Sequence, residues 1–232
     1  MRFGGFLKHS LIDYPGKISC VVFLNGCNFQ CPYCHNPGLA RGDQPAPSFL
    51  NQEWLDEFMG IRRRFLDGIV ISGGEPTLQS GLDRFCEKLK QSGYLVKLDT
   101  NGSQPEMIRN LLRNGLVDYI AMDIKTDPGT YAPHLVDRYQ PGDILESIRL
   151  IMTSAPDYEF RTTCVRPFVD AEILARILEH IEGARRYCLQ RFRPDDMLRP
   201  DFFQSYQDND VDGFLALLKK LAQGHVRECI VR

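Results

Sequence analysis

Short, unbroken apolar runs alternate along this chain with segments whose apolar residues return every three or four positions. The first run, Ser19 to Leu24 (SCVVFL), has the continuous β-branched character of a parallel strand buried on both faces. Residues 68–72 (GIVIS), 94–98, 117–122, 158–165 and 186–192 also read as strands. Helical periodicity fills the intervals over residues 51–64, 81–92, 104–114, 144–154 and 171–182, and a last helix is predicted over 210–223. In the first helix Trp54, Leu55, Phe58 and Ile61 share one face. Pro105 sits in the first turn of another, where a missing N–H costs nothing. A short strand is expected near 226–231, and residues 1–17 read as a segment turning at Asp13-Tyr14-Pro15-Gly16.

Six strand–helix steps predict an α/β fold with a parallel sheet and right-handed crossovers. An incomplete (β/α)6 TIM-like barrel and a doubly wound sheet both satisfy the pattern. In either, chemistry gathers at the C-terminal ends of the strands. One domain over residues 1–232 is expected, with its core at about 18–193 and a C-terminal helix and tail over 194–232.

Composition adds little to this frame: 43% hydrophobic and 25% charged is ordinary for a globular chain. A net charge of -2 gives no sign of a nucleic-acid surface, and Arg62-Arg63-Arg64 and Arg185-Arg186 read as solvated faces. No apolar run approaches the roughly 18 residues of a membrane span, and the first residues lack a signal-peptide core. A cytoplasmic protein without membrane attachment is therefore expected, and its eight cysteines are not expected to be disulfides. Cys20, Cys86, Cys164, Cys188 and Cys229 are scattered and read as small core residues or, for Cys229, as undecided. Cys27, Cys31 and Cys34 are different, because they share one long loop, residues 25–47, and loops of that length are usually functional.

Distinctive residues follow every predicted strand. They are Cys27-x3-Cys31-x2-Cys34-His35-Asn36, Gly73-Gly74-Glu75-Pro76, Asp99-Thr100-Asn101-Gly102, Asp123-Ile124-Lys125, Arg161-Thr162-Thr163 and Gln190-Arg191-Phe192-Arg193. Clustered soft thiolates suit zinc or iron–sulfur. A zinc site would need His35 beside Cys34 as fourth ligand, and structural zinc favours two separated pairs. Three cysteines instead bind three irons of a four-iron cluster and leave one iron open to an exchangeable ligand. Two glycines at 73 and 74 let a main chain approach a partner closely, and Glu75 matches an ammonium. Taken alone, Gly-Gly-Glu-Pro is also an ordinary tight turn. Asp99, Thr100 and Asp123 read either as strand-end helix caps or as a polar site.

These motifs together resemble the radical S-adenosylmethionine (SAM) superfamily. Cys27, Cys31 and Cys34, with Tyr33 before the third cysteine, are similar to its cluster signature, and Gly73, Gly74 and Glu75 to the motif that holds the methionyl amino group. Cys34-His35-Asn36, Leu98 to Gly102 and Met122 to Lys125 resemble the glycyl-radical-enzyme activases of pyruvate formate-lyase type. Ser10 to Lys17, followed by Val22 to Cys27, looks most like the activating proteins of anaerobic ribonucleoside-triphosphate reductase, as does Gln190-x-Phe192-Arg193-Pro194. The resemblance implies one 4Fe–4S cluster, SAM as its ligand, and a monovalent cation beside Asp99, Thr100 and Asp123. It implies further SAM contacts from Asn101, Lys125 and Arg161. Its implied partners are a glycyl radical enzyme, most closely the large subunit of the anaerobic ribonucleotide reductase, and a flavodoxin- or ferredoxin-type electron donor. The alternative is a radical SAM enzyme acting on a small molecule, like the 7-carboxy-7-deazaguanine synthases.

Overall fold

The computed structural model describes residues 1–194, 197–203 and 210–232. Its strands are β1 (Phe3–Ser10), β2 (Ser19–Leu24), β3 (Gly68–Gly73), β4 (Leu95–Thr100), β5 (Tyr119–Asp123), β6 (Tyr158–Cys164), β7 (Tyr187–Arg191) and β8 (Cys229–Val231). Its helices are α1 (Pro37–Arg41), α2 (Gln52–Arg62), α3 (Leu82–Gln91), α4 (Pro105–Arg113), α5 (Pro141–Ser154), α6 (Ala171–His180) and α7 (Val211–Ala222). The strands form one sheet in the order β1 to β8, open between its two edges. A doubly wound sheet reverses its strand order at a switch point, and this one never does. The incomplete barrel is therefore the correct alternative.

All neighbours from β2 to β8 are parallel, whereas β1 pairs antiparallel with β2. The sequence pattern gave no strand at 3–10, because FGGFLKHS carries two glycines and a polar, exposed second half. Helix starts follow local chemistry. The Asn51 side chain accepts from Trp54 N–H at 2.9 Å, Asp170 from Ile173 N–H at 2.7 Å, and proline opens α1, α4 and α5. Pro141 moves the start of α5 three residues ahead of its first apolar position, Ile144. Among the described residues no helix is long and apolar enough to cross a membrane.

Strand alternation sends one set of side chains to the helices and the other into the barrel. The outward set, including Leu24, Ile71, Leu98, Ile120, Phe160 and Leu189, builds the large core beneath the helices. The inward set begins apolar, with Tyr14, Val21, Val70, Tyr119 and Ala121 packed together. Charge follows at once. Lys97 and Glu159 are each 1% exposed, and Lys97 Nζ lies 5.9 Å from the centre of the Tyr119 ring. Glu159 accepts from Tyr119 Oη at 3.2 Å and from both terminal nitrogens of Arg232 at 3.0 and 3.1 Å. The barrel interior is thus a column of paired charges, unlike the aliphatic layers usual in such barrels.

This column also explains why β8 belongs to the barrel: Arg232, the residue that follows it, neutralises the buried Glu159. Arg232→Ala is expected to cost about 1–3 kcal/mol, the penalty of leaving a buried acceptor short of donors. Urea denaturation tests it, and Arg232→Ala in a Glu159→Gln background should cost less.

Candidate active site

Both ends of the cysteine loop are pinned by backbone. Past the end of β2, Gly74 N–H donates to Leu24 O and Glu75 N–H to Gly26 O, both at 2.8 Å. From the other side, Gly26 N–H donates to Leu39 O at 2.7 Å and Cys27 N–H to Ala40 O at 3.0 Å, so helix α1 closes the loop on itself. The Gly73-Gly74 pair was expected to admit a ligand. What it admits first is the cysteine loop: a Cβ on Gly74 would stand 2.6 Å from the Gly26 carbonyl carbon, and Gly73 has φ +124. Only glycine fits between these two segments. Cys34 N–H turns back to Cys31 O at 2.9 Å. Tyr33 is buried, its ring 5.2 Å from that of Phe168 and its hydroxyl donating to Lys125 O at 3.2 Å. It ties the cysteine loop to the end of β5.

The three thiols line one cavity of about 240 Å³ with Gly73, Gly74, Asp99, Thr100, Asn101, Asp123, Lys125 and Arg161. The structure therefore gathers twelve of the thirteen expected site residues around one space, Glu75 alone standing apart. Cys27 Sγ accepts from Phe29 N–H at 3.4 Å and from Asn101 Nδ2 at 3.8 Å. Burial pushes the Cys27 thiol up to about 11, helped by the Glu75 charge, and the Cys31 thiol up to about 12. Such thiols surrender their protons only to a strongly held metal. A set of three soft sulfurs with N–H donors aimed at one of them fits an iron–sulfur cluster.

Glu75 departs from expectation. Its carboxylate is fully buried and faces away from the cavity. It accepts from Thr77 N–H at 3.0 Å, Thr100 Oγ1 at 2.8 Å, Asn101 N–H at 2.6 Å and the Thr77 hydroxyl. Burial pushes its pKa up, and the donors from Thr77, Asn101 and Thr100 work against that rise. Glu75 is a girder between the loops after β3 and β4. The Thr100 hydroxyl is consumed by it. Asn101, held by this girder, reaches Asn28 Oδ1 at 3.0 Å as well as the Cys27 sulfur.

Opposite the thiols stands a charged array. Asp99, Asp123 and Arg161 are inward residues at the ends of adjacent strands β4, β5 and β6, with Asp123 and Arg161 in register. Arg161 Nε lies 2.7 Å from Asp123 Oδ1 and Arg161 Nη1 3.5 Å from Asp99 Oδ1, so one guanidinium bridges both acids. Lys125 Nζ pairs with Asp123 at 2.9 Å, and Lys97 pairs with Asp99 from below. Burial pushes both carboxyls up, but Arg161 with Lys125 holds Asp123, and Arg161 with Lys97 holds Asp99, below the usual carboxylate range. The array holds three cations against two carboxylates, an excess that favours a bound carboxylate.

Thr163 and Gln190, singled out at strand ends without a role, also line the cavity, as do Phe29 and Ser72, which sequence reasoning missed together with Lys97 beneath it. The signal existed: period two places Thr163 on the same face as Arg161, and Lys97 on that of Asp99. Ser72 donates to Asp99 Oδ2 at 3.0 Å.

Comparison with known proteins identifies the family. Residues 21–181 match the model of the Radical SAM superfamily. A protein of Methanocaldococcus jannaschii, provisionally named a glycyl-radical enzyme activating enzyme, is 34% identical over 98% of this chain and 94% of its own length. The pyruvate formate-lyase-activating enzyme of Staphylococcus aureus is 33% identical over 39% of this chain and 37% of its own. Among solved structures, Streptococcus suis SuiB bound to its precursor peptide SuiA superposes with a TM-score of 0.66 at 11% identity, over 90% of this chain and 48% of SuiB.

Proposed function

This chain belongs to the radical SAM superfamily, and from that premise we propose that it is an activase, which installs a glycyl radical on a partner enzyme. The superfamily's 4Fe–4S cluster supplies one electron to SAM, which yields methionine and a 5′-deoxyadenosyl group that takes a hydrogen atom from the target carbon. The reductant is a flavodoxin- or ferredoxin-type donor. Cys27, Cys31 and Cys34 hold the cluster. Lys125 and Arg161 receive the SAM carboxylate, and Asn101 orients the sulfur side of the site. Asp99 and Asp123 hold the two cations in place, while Glu75, Gly73 and Gly74 set the loop backbones. The observation that carries the reading is one cavity with three thiols on one wall and the cations Lys125 and Arg161, each paired to an acid, on the other.

The partner proposed is the large subunit of an anaerobic ribonucleoside-triphosphate reductase, on the strength of Ser10 to Lys17, Val22 to Cys27 and Gln190 to Pro194. A barrel sheet that is open between its edges also suits a macromolecular substrate. The test is anaerobic incubation of the reconstituted, reduced protein with SAM and that subunit. Stoichiometric 5′-deoxyadenosine and a glycyl radical doublet in electron paramagnetic resonance are expected. Turnover of SAM with no doublet from this or any other glycyl radical enzyme would overturn the reading in favour of a small-molecule substrate.

Arg161 already lies between the carboxylates that resemble a monovalent cation site. We therefore expect SAM affinity and 5′-deoxyadenosine formation to change less than about twofold when tetramethylammonium replaces sodium and potassium at constant ionic strength. Equilibrium binding of SAM measures this directly.

A further inference from the structure

Most of the half-buried and buried polar side chains around the cavity already have protein partners. Asp99, Asp123, Lys125 and Arg161 are ion-paired, and Ser72, Thr100 and Asn101 are hydrogen-bonded to protein. Among the described residues, the Thr163 hydroxyl and the Gln190 carboxamide have no protein partner, although both line the cavity and both are half-buried. They are register partners on β6 and β7, so they stand side by side on the same inward face. Arg232 N–H donates to Leu189 O at 3.0 Å and Arg191 N–H to Arg232 O at 2.7 Å, so Arg232 runs beside Gln190, and the pair stands on the last strands before the open edge of the sheet. Facing the cavity with no protein partner, both groups keep their donors and acceptors available to a ligand.

The chemistry of the pair restricts that ligand. The charged parts of SAM find their complements in the acid–base array across the cavity. A carboxamide and a hydroxyl offer donors and acceptors without charge. That is the complement of a peptide group, which presents one N–H and one C=O. Under the activase reading, on which this step rests, the target is a glycine. A glycine has no side chain to grip, so it can be positioned only through its backbone. We infer that Gln190, aided by Thr163, pairs with the peptide backbone flanking the target glycine as the partner's loop enters beside the open edge of the barrel. Gln190 is then a positioning residue for the second substrate, distinct from the groups that hold SAM.

Gln190→Leu and Thr163→Val keep volume and remove the polar groups. In the holoprotein each is expected to raise KM for the partner enzyme, or for a synthetic peptide spanning its glycine, by about tenfold, the effect of one or two neutral hydrogen bonds. The number of glycyl radicals formed per 5′-deoxyadenosine released should fall with it, and Thr163→Ser should restore the value. An equal loss in SAM affinity, measured by equilibrium binding without partner, would place the pair on the adenosine and overturn the inference. So would an unchanged KM with an active wild type. A wild type that cleaves SAM yet never yields a glycyl radical removes the activase reading itself, and this inference with it.

Discussion

An Arg161→Met protein is expected to bind SAM about 100-fold more weakly or worse, and to lose about 3–5 kcal/mol of stability, the usual cost of breaking a buried ion pair from one side. The reason is the geometry of the array. The guanidinium touches both Asp99 and Asp123, and removing it leaves two carboxylates facing each other with only Lys97 and Lys125 behind them. In the wild type both acids have folded pKa values below their unfolded values of about 3.9, so their stabilisation is complete above that pH and is lost only as pH falls through the depressed folded values. Without Arg161 those folded values rise. The stability gap between variant and wild type should therefore be widest near neutral pH and shrink on acidification, as protonation relieves the exposed repulsion. Urea denaturation across pH reads this, and equilibrium binding reads the SAM term of the prediction. Adding Asp123→Asn to Arg161→Met should recover stability without recovering SAM affinity. A gap independent of pH would show that Arg161 contributes packing and not charge.

The barrel was legible in the sequence because short, β-rich and mainly apolar segments alternate with punctuated helices. The six predicted strands from 19–24 to 186–192 all form, within two residues at their ends. The segment at 3–10 was not legible. An edge strand with one exposed side and two glycines carries neither the continuous nor the alternating pattern. Its pairing is decided by β2 across the turn at residues 11–18, a tertiary fact. Pro141 and Pro37 could have been read as helix starts, since both sit at the first position of a helix.

The site was legible as a list and less so as roles. Sequence order placed the motifs at strand ends, and the fold brings them to one cavity. What spacing could not give is direction. Glu75 looked like a ligand for an ammonium because it is acidic and follows two glycines. Its orientation is fixed by Thr77, Thr100 and Asn101, from its own loop and the one after β4, and it ends up bracing the site from behind. Lys97 failed in the opposite sense. A lysine inside an apolar strand looks like an interruption until Asp99 and the inward face of the barrel are seen together.

Gly74→Ala tests whether this bracing governs the cluster, and it is expected to be as damaging as losing a ligand. The added methyl would strike the Gly26 carbonyl, whose oxygen already accepts from Glu75 N–H, and would meet Leu39 O at 3.1 Å. None of these is a flexible side-chain end. The residue after Gly26 is Cys27, so any backbone shift that relieves the clash moves the first sulfur away from the other two. Overpacking of this kind costs about 1–3 kcal/mol, which a domain of this size survives. A cluster site does not survive displacement equally well, because its affinity depends on ligand geometry held by surrounding backbone, and disturbing that support costs about 10–100-fold. The expected protein is folded by circular dichroism, yet retains less than about a tenth of wild-type iron and sulfide after reconstitution. Gly60→Ala is the matched control. It lies within α2, a Cβ there meets nothing within 4 Å, and it should gain about 0.5–1 kcal/mol from helix propensity while keeping full iron content. Full iron content in Gly74→Ala would mean that the cysteine loop adapts, and that the two glycines serve the ligand directly instead of the loop that holds it.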